Sequence, residues 1–579
     1  MSTDAYASAD RPALAVTVQV DRLGPLPLVN HVLTRLTLPA LFEQYVPTLS
    51  QRCALSPARG LGVLLRSIIV EREPIYRQPE LTRAFTPAGF GLTAAEAAAL
   101  RDDQLGRALD QLFAADRGAL LTAIVVAAVR RFGVAVTELH NDSTTVSFTG
   151  QYRAAQGRSL RGKRAPAITY GHSKQHRPDL KQLLFILTTS ADGGVPVQFR
   201  CADGNATDDR THIETWETLC QLTGRRDFLY VADSKLCTGA QMDHLARRQG
   251  RFVTVLPRSR SEDAEFREWI LSHTPPWEEV WNRPHPRRRD GPRDIWRVFR
   301  YHLPSREVWP VIWVWSTLLA QHQDQTRRAR LARVEQELEA LQRTLAGPRP
   351  RRRTRQAVEE HVRRLLDRFQ VQRYLRVDIL DAPEYRYRQE HRGRPGPETR
   401  YRRIIRQRFR LVWHTDEDTV RRDRTSDGMF PLLTNDRMLT PRAVLEAYRR
   451  QPQIEKRFAE LKTVHEIAPV FLKNEGRIEA FFFLYFLALL MQALIEREVR
   501  RAMQREGIAE LALYPEDRAT RQPTAEQILR LFSLVMCHTV LEGDQVIRIP
   551  EPDLTPLQKQ VLHLLGIPER VYRHPDVDQ

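Results

Sequence analysis

Residues 135–150 read AVTELHNDSTTVSFTG and mark a change in the period of the hydrophobic pattern. Before this stretch, from Leu26 to about Phe132, apolar residues recur at the spacing of amphipathic helices. Within it the period becomes two, which predicts a long strand with Asp142 near its middle. The stretch therefore predicts that an α/β region follows an all-helical N-terminal region.

The segments after this strand predict a mixed sheet. LLFILTTS and VPVQFRCADGN are joined through ADGG, a turn sequence typical of a β-hairpin. DRTHIETWETLCQL then predicts a helix, and DFLYVAD predicts a central strand that ends at Asp233. One more helix and one more strand follow it. The order strand, hairpin, helix, strand, helix, strand is that of an RNase H-like α/β domain.

Residues 440–465, TPRAVLEAYRRQPQIEKRFAELKTVH, are predicted to form a helix with Thr440 as its N-cap and Pro441 at its first position. At about 100° per residue, four polar side chains fall within an arc of roughly 60° beside an apolar stripe: Tyr448, Gln451, Glu455 and Lys462. Pro452 predicts a bend or a restart of the helix, so the alignment is strongest after it. The alternative is a solvated polar edge of an amphipathic helix.

Three acidic residues form a candidate catalytic and metal site: Asp142, Asp233 and Glu455. Sites in open α/β sheets form at strand ends, where Asp233 is expected. Carboxylates brought together repel each other unless a cation neutralises them, and hard oxygen ligands suit Mg²⁺ or Mn²⁺. Two such ions activate a water or a 3′-hydroxyl for displacement at a phosphodiester. The alternative for Asp233 is a turn residue or helix N-cap.

Composition limits the classes of function. The 89 lysines and arginines against 71 acidic residues give a net charge of +18, which favours nucleic acid as a partner, with an arginine-rich proteome as the alternative. The five cysteines are scattered without a C-x-x-C pair, which argues against zinc or a disulfide framework and fits a reducing cytoplasm. Phosphate-loop, dinucleotide and H-E-x-x-H motifs are absent. The apolar run Phe481 to Ile495 predicts a core helix and no membrane association, and the N-terminus shows no signal-peptide pattern.

The chain resembles the DDE transposases of bacterial insertion sequences, specifically the cut-and-paste group with a β-rich insertion and a Y-R-E-K signature. The resemblance extends from about residue 26 to residue 500. It rests on HNDSTTV, GHSKQHRPDLKQ, VADSKL, SDGMFPLLTN and Y-x-x-Q-x-x-x-E-x-x-x-x-x-x-K.

The resemblance implies roles for individual residues. The three acids correspond to the family's ligands for two Mg²⁺ ions per active site, with Mn²⁺ as an alternative. Tyr448 and Lys462 correspond to the signature residues that contact phosphates of the element end. Gln451 stands where the family has arginine, and Arg449 or Arg450 is a candidate substitute.

The resemblance also implies an activity and partners. The expected enzyme binds double-stranded DNA, both the terminal inverted repeats of its own insertion sequence and a target. It is expected to act as a homodimer in the DNA complex, in the cytoplasm with the nucleoid. Three alternatives stay open: a catalytically inactive relative that represses transposition, an RNase H-like structure-selective nuclease, and a basic scaffold based on a helical hairpin.

Other basic and aromatic residues are candidate DNA contacts. The loop GHSKQHRPDLKQ offers four side chains to the DNA backbone: Lys174, His176, Arg177 and Lys181. The alternative is an ordered surface loop capped by Asp179. Related transposases stack a tryptophan of the insertion on a flipped base, and Trp296 or Trp277 is the candidate here. The alternative is a buried core tryptophan.

A heptad seam predicts a helical hairpin over residues 317–371. Its basic tip has arginines at positions that either contact phosphates or form a solvated end: Arg349, Arg351, Arg352, Arg353 and Arg355. The predicted domains are a helical DNA-binding or dimerisation domain at 1–132, the two parts of the catalytic core at 133–257 and 431–505, an insertion with strands and the hairpin at 258–430, and a helical or loop region at 506–579.

Overall fold

The computed structural model describes residues 16–48, 54–174, 177–206, 211–286, 288, 290–348, 354–542, 545–548 and 550–572. The chain is mixed α/β and divides into two compact units. The first unit comprises Met1–Thr254 and Ala447–Gln579, and the second comprises Val255–Glu446. The second unit thus contains the segment 258–430, for which an insertion was predicted, and extends beyond it on both sides.

The N-terminal part of the first unit begins with a strand, β1 (Val16–Arg22), and continues with helices. The helices are α1 (Leu26–Arg35), α2 (Leu38–Tyr45), α3 (Pro57–Val70), α4 (Gln78–Arg83), α5 (Ala94–Ala99), α6 (Asp102–Ala114) and α7 (Arg117–Phe132). The helical pattern predicted from Leu26 to Phe132 is therefore confirmed. The strand is an addition to the domain predicted as helical at 1–132.

After these helices the first unit continues with five neighbouring strands, a separate short strand pair and two helices. Its elements are β2 (Glu138–Phe148), β3 (Ser159–Leu160), β4 (Lys163–Arg164), β5 (Lys181–Ser190), β6 (Pro196–Ala202), α8 (His212–Thr223), β7 (Leu229–Ala232), α9 (Gly239–Arg247) and β8 (Arg251–Val255). The strand order is β6-β5-β2-β7-β8, and the short pair β3–β4 lies apart. The pairs β5–β6 and β2–β5 are antiparallel, whereas β2–β7 and β7–β8 are parallel.

The turn between β5 and β6 confirms the predicted hairpin. Gly193 and Gly194 both have positive φ, at 82° and 63°, a backbone region that glycine enters without steric cost. Their carbonyl oxygens face a helix that follows later in the chain and accept hydrogen bonds from Arg457.

The second unit contains two kinds of substructure, an antiparallel sheet and a helical hairpin with flanking strand pairs. Its elements are α10 (Ser261–Trp269), β9 (Glu278–Arg283), β10 (Asp294–Arg300), β11 (Val311–Ser316), α11 (Thr317–Ala346), α12 (Arg355–Phe369), β12 (Leu375–Asp381), β13 (Glu384–Gln389), β14 (Tyr401–Arg406), β15 (Phe409–Thr415), α13 (Glu417–Thr425), β16 (Met429–Thr434) and α14 (Pro441–Tyr448). Strands β16, β11, β10 and β9 are neighbours in that order.

The strand-like pattern of FRLVWHT and GMFPLLTN predicts that both segments belong to the sheet, and for FRLVWHT this is wrong. It forms β15, which pairs antiparallel with β12 in a separate two-stranded sheet. The reason is packing, because Phe409 and Leu411 are buried in the hydrophobic core of the helical hairpin. GMFPLLTN does return to the sheet, as β16 beside β11.

The heptad seam of the hairpin is confirmed. Its buried seam residues are Val334, Leu338, Leu341 and Leu345 on α11, and Val358, Val362 and Leu365 on α12. Of the arginines at the predicted tip, Arg355 begins α12 and pairs with Glu359 and Asp381. Arg349, Arg351, Arg352 and Arg353 lie outside the described residues.

The chain then completes the first unit. The elements are α15 (Pro452–Thr463), α16 (Glu475–Glu506), α17 (Ala525–Leu531), β17 (Met536–Glu542), β18 (Gln545–Arg548) and α18 (Pro556–Leu565). The prediction of only helices and loops at 506–579 is wrong, because β17 pairs with both β1 and β18. The sequence gives no local turn signal for β1–β17, since the two strands come from opposite ends of the chain.

Helix α16 is the core helix of the first unit. It is long and apolar enough to span a membrane, but 94% of its most apolar 18-residue stretch is buried inside the protein. Within the described ranges it is the one single helix that is long and apolar enough to span a membrane; α6 and α7, bent by 91° relative to each other, reach that length and apolarity only when taken together. This burial agrees with the core helix predicted from Phe481 to Ile495.

Candidate active site

Two of the predicted acids lie on neighbouring strands. The last registered pair of the parallel strands β2 and β7 is Asn141 with Ala232; Asp142 is the next residue of β2, and Asp233 is the residue that follows β7. Parallel neighbours are about 4.8 Å apart across the sheet. The fold therefore brings these two carboxylates to one place although they are far apart in sequence.

Local hydrogen bonds fix both aspartates. Asp142 Oδ1 accepts from the backbone N–H of Ser143 at 2.7 Å, and the amine of Lys174 lies 3.5 Å away. Asp233 Oδ1 accepts from the backbone N–H of Lys235 at 3.0 Å and caps a short 3₁₀ turn. The alternative of Asp233 as a capping residue is thus correct as a local description, and its second oxygen lies outside that cap.

The segment predicted as one helix at 440–465 is two helices, α14 and α15, separated by a turn at 449–451. Thr440 does cap α14, since its hydroxyl accepts from the N–H of Ala443 at 3.2 Å. The break has a clear cause, because Pro452 lacks an N–H and begins α15 at its first position. Glu455 and Lys462 remain on one helix, whereas Tyr448 and Gln451 do not share it.

The third acid, Glu455, lies on a helix that contacts the strand of Asp142. Burial raises the pKa of the Tyr448 phenol, and the carboxylates of Glu455 and Asp233 raise it further, while Arg449 opposes them. Lys462, on the same helix as Glu455, donates to the Thr144 hydroxyl of β2 at 2.7 Å, so this helix contacts the strand that carries Asp142. Glu455 itself is exposed, in the first turn of α15, and it makes no side-chain hydrogen bond or ion pair with the described residues.

Two lysines flank the first acid. Lys462 donates to the Thr144 hydroxyl at 2.7 Å, and Lys174 donates to the Ser143 carbonyl at 2.7 Å. Burial lowers the pKa of Lys462 and the neighbouring Lys174 lowers it further, whereas Asp142 opposes them. The sequence assigned Lys174 only to a DNA-binding loop, and the structure places it beside Asp142.

The three acids therefore lie in one region of the first unit, but their side chains are not arranged as a metal-coordination site. Across the described parts of the chain, no group of three or more histidine, cysteine, aspartate or glutamate side chains is arranged to hold a metal ion. What the region offers is a carboxylate pair on adjacent strands, a third exposed carboxylate on α15, and two amines beside the first carboxylate.

A buried ion network positions the helix that carries Glu455. Arg457, on α15, donates to Glu496 of α16 at 3.0 Å and to Glu460 at 2.7 Å. It also donates to the carbonyls of Gly194 and Gly193 at 2.9 and 3.0 Å. The side chains of Arg457 and Glu496 are 2% and 1% exposed. Sequence analysis missed this network, whose only signal is charge inside an apolar helical pattern.

The residues proposed to replace the family's signature arginine differ in their surroundings. One guanidinium nitrogen of Arg450 donates to both carboxylate oxygens of Glu138, at 2.9 and 2.7 Å. Burial acts to raise the pKa of Glu138, but His140 and Arg450 lower it more, so the pKa lies below its ordinary value. Arg449 is exposed, and Gln451 is buried with no hydrogen-bond partner for its Oε1 in the described structure. Arg449 is therefore the better placed for a phosphate.

We expect substitutions of these two arginines to separate DNA binding from stability. Arg449→Ala should weaken DNA binding and reduce the slope of log affinity against log salt by about one, as for one lost phosphate contact. Arg450→Ala should leave that slope unchanged and lower stability, because Glu138 loses its partner. Fluorescence anisotropy across a salt series and urea denaturation test the pair. Equal salt slopes in the two variants would contradict the assignment.

The other predicted DNA contacts lie in varied surroundings. Arg177 pairs with Asp179 at 2.7 Å and both are exposed, whereas the Lys181 amine donates to the Gln151 carbonyl at 2.5 Å. His176 lies outside the described residues. Trp296 is half-buried on β10, and its Nε1 donates to Asp294 at 2.7 Å. Its ring packs edge-on against Trp281.

Comparison with known proteins adds no identification. No protein-family model matches the chain, and no curated protein matches it.

Proposed function

We propose that this chain is a DDE transposase with an RNase H-like catalytic core, which cleaves DNA and joins it to a target. The observation that carries the proposal is the position of Asp142 and Asp233, each directly after the last registered pair of the parallel strands β2 and β7, with the helix of Glu455 held against β2 through Lys462 and Thr144. The strand order β6-β5-β2-β7-β8, with β5 antiparallel to its neighbours, supports the RNase H-like core.

The donor set fits a hard divalent cation. Three carboxylates with no histidine or cysteine among them suit Mg²⁺ or Mn²⁺ and are poor ligands for softer metals. Asp142, Asp233 and Glu455 would hold the ions. When bound, two such ions supply an activated oxygen nucleophile and stabilise the leaving oxygen at a phosphodiester. Since Glu455 is exposed and makes no ion pair in the described structure, it is available to approach the aspartates.

The neighbouring side chains have roles that follow from their charge. Lys462 and Lys174 place two amines beside Asp142, where they attract a DNA phosphate and offset carboxylate repulsion. The Tyr448 phenol is protonated at neutral pH, as for any tyrosine, and its raised pKa favours that form further, so its hydroxyl can donate to a phosphate oxygen. Arg457 touches no reacting atom and is a positioning residue for α15.

The partner proposed is double-stranded DNA, both terminal inverted repeats and target, bound by a homodimer in the cytoplasm. The net charge of +18 supports a polyanionic partner. Phosphate contacts release counterions, so we expect affinity to fall steeply with salt. A flat salt response would contradict a phosphate-binding surface.

A strand-joining assay tests the proposal. Purified protein is incubated with Mg²⁺, a labelled DNA duplex and a plasmid target. The duplex carries the terminal inverted repeat taken from the DNA that flanks the coding region. Labelled end joined to plasmid is expected with wild type and not with Asp233→Asn. Cleavage without joining would favour the structure-selective nuclease, and binding without cleavage would favour the inactive repressor. Equal activity of wild type and Asp233→Asn would exclude the assigned site.

A further inference from the structure

The second unit carries an exposed β-hairpin that the proposed function does not use. Strands β13 and β14 pair only with each other, in register from Glu384 with Arg406 to Gln389 with Tyr401. Apart from the two ends of β13, their side chains are exposed. An isolated two-stranded hairpin is marginally stable in water, so a binding surface is a reasonable role for it. We call residues 384–406 the ribbon.

The ribbon is strongly basic. It contains eight arginines and three glutamates, with no lysine or aspartate, which gives a net charge of +5. Of its acids, Glu384 pairs with Arg386 at 2.6 Å and with Arg408 at 2.8 Å. In the described structure no ion pair involves Arg388, Arg402 or Arg406. The ribbon therefore carries an excess of positive charge that its own acidic residues do not neutralise.

The register sorts the side chains onto two faces, since residues opposite each other across a strand pair share a face. One face, here called the tyrosine face, carries Tyr385, Tyr387, Tyr401, Arg403, Ile405 and Gln389. The other, the arginine face, carries Glu384, Arg386, Arg388, Arg402, Ile404 and Arg406. The tyrosines are 49–67% exposed, and Arg403 lies over the Tyr385 ring at 5.4 Å.

The arginine face contains an arrangement that costs stability unless an anion is present. Arg388 and Arg402 are directly opposite each other across the ladder. Like charges at such positions destabilise a strand pair. A row of phosphates removes this repulsion, and guanidinium groups bind phosphate oxygens in a two-pronged geometry. A protein partner would need a comparable density of acidic side chains.

We propose that the arginine face of the ribbon binds the phosphate backbone of duplex DNA, with the two strands lying along the major groove. The dimensions agree, because a six-residue strand spans about 20 Å and the major groove, about 12 Å wide, admits a two-stranded ribbon. The inference rests on the proposed function, in which duplex DNA is the substrate. It adds a contact surface in the second unit, separate from the acids.

The test compares two triple variants of the full-length protein with the same change of charge. Arg388→Ala/Arg402→Ala/Arg406→Ala removes the arginine face. Arg328→Ala/Arg333→Ala/Arg364→Ala removes three exposed arginines of α11 and α12 that pair with acids of their own helices. The probe is a fluorescent duplex of random sequence, followed by anisotropy between about 50 and 200 mM salt, the range over which phosphate contacts are resolved.

We expect the ribbon variant to bind about tenfold to a hundredfold more weakly, with a salt slope smaller by about 2 to 3, as for three lost phosphate contacts. The control variant should match wild type, and both variants should retain the wild-type circular dichroism. Equal affinities of ribbon variant and wild type would overturn the ribbon inference alone. Failure of wild type to bind any duplex would overturn the proposed function. A loss of self-association in the ribbon variant, with DNA binding intact, would show that the ribbon is a dimer contact and overturn the inference.

Discussion

Arg457→Ala is expected to lower the free energy of unfolding by about 3 kcal/mol or more, which is the cost of removing one partner from a buried ion pair. Arg457 satisfies two carboxylates, Glu496 and Glu460, and two carbonyls of the β5–β6 turn. Alanine leaves the Glu496 carboxylate buried and the carbonyls without these donors. Urea denaturation followed by circular dichroism measures the loss.

Lys456→Ala is the matched control for this prediction. Lys456 also pairs with Glu496, at 2.7 Å, but its side chain is 35% exposed. Its removal is therefore expected to cost about 1 kcal/mol, near the value for exposed pairs. If Lys456→Ala proves as destabilising as Arg457→Ala, the network does not depend on the buried guanidinium.

The same network predicts a pH dependence. Burial acts to raise the pKa of Glu496, but Arg457, Lys456 and Arg500 lower it more, so the pKa lies below its ordinary value. A carboxyl group whose pKa is lower in the folded protein than in the unfolded chain stabilises the fold. This stabilisation is fully present above the pKa of the unfolded chain, about 4.3, and is lost as the pH falls through the pKa of the folded protein. The stability difference between wild type and Arg457→Ala should therefore shrink in acid. A difference that grows below that pH would contradict this.

The second large effect is expected on catalysis. Asp142→Asn, Asp233→Asn and Glu455→Gln should each reduce Mg²⁺-dependent DNA cleavage by about 10³-fold or more, a loss of about 4 kcal/mol of transition-state stabilisation. Because groups that act as a unit are not additive, the double variant Asp142→Asn/Asp233→Asn should lose little more than either single variant. Single-turnover cleavage of a labelled duplex measures these rates.

Asp227→Asn provides the control for the cleavage experiment. Asp227 precedes β7, its side chain is 62% exposed, and it pairs with Arg225 at 2.7 Å. The same chemical change there should leave the rate unchanged. Multiplicative losses in the double variant, or retained activity in Glu455→Gln, would mean that the acids do not form one site.

How far the sequence predicts this molecule depends on the range of the interactions involved. Periodicity and turn chemistry are local, so the helices from Leu26 to Phe132, the β5–β6 hairpin and the heptad seam follow from the sequence. The pairing of β1 with β17 depends on residues at opposite ends of the chain, and the pairing of β15 with β12 depends on the hairpin core. Neither has a local signal.

The candidate site shows the same division. Pro452 predicted the break that the structure has between α14 and α15, because its ring and missing N–H act within one helical turn. The adjacency of Asp142 and Asp233 required the parallel register of β2 and β7. The burial of Gln451 and the ion pair of Arg450 with Glu138 depend on tertiary packing, so spacing alone could not distinguish Arg449 from Arg450.

The central claim is that three acids far apart in the sequence bind the same pair of metal ions. Metal-directed cleavage of the polypeptide tests this claim most directly. Fe²⁺ replaces Mg²⁺, and ascorbate with peroxide then generates hydroxyl radicals that cut the backbone near the bound metal. The account predicts cuts close to residues 142, 233 and 455 in wild type, all suppressed by excess Mg²⁺ and all absent in Asp233→Asn. Cuts near Asp142 and Asp233 with none near Glu455, or cuts that persist in Asp233→Asn, would contradict a shared site.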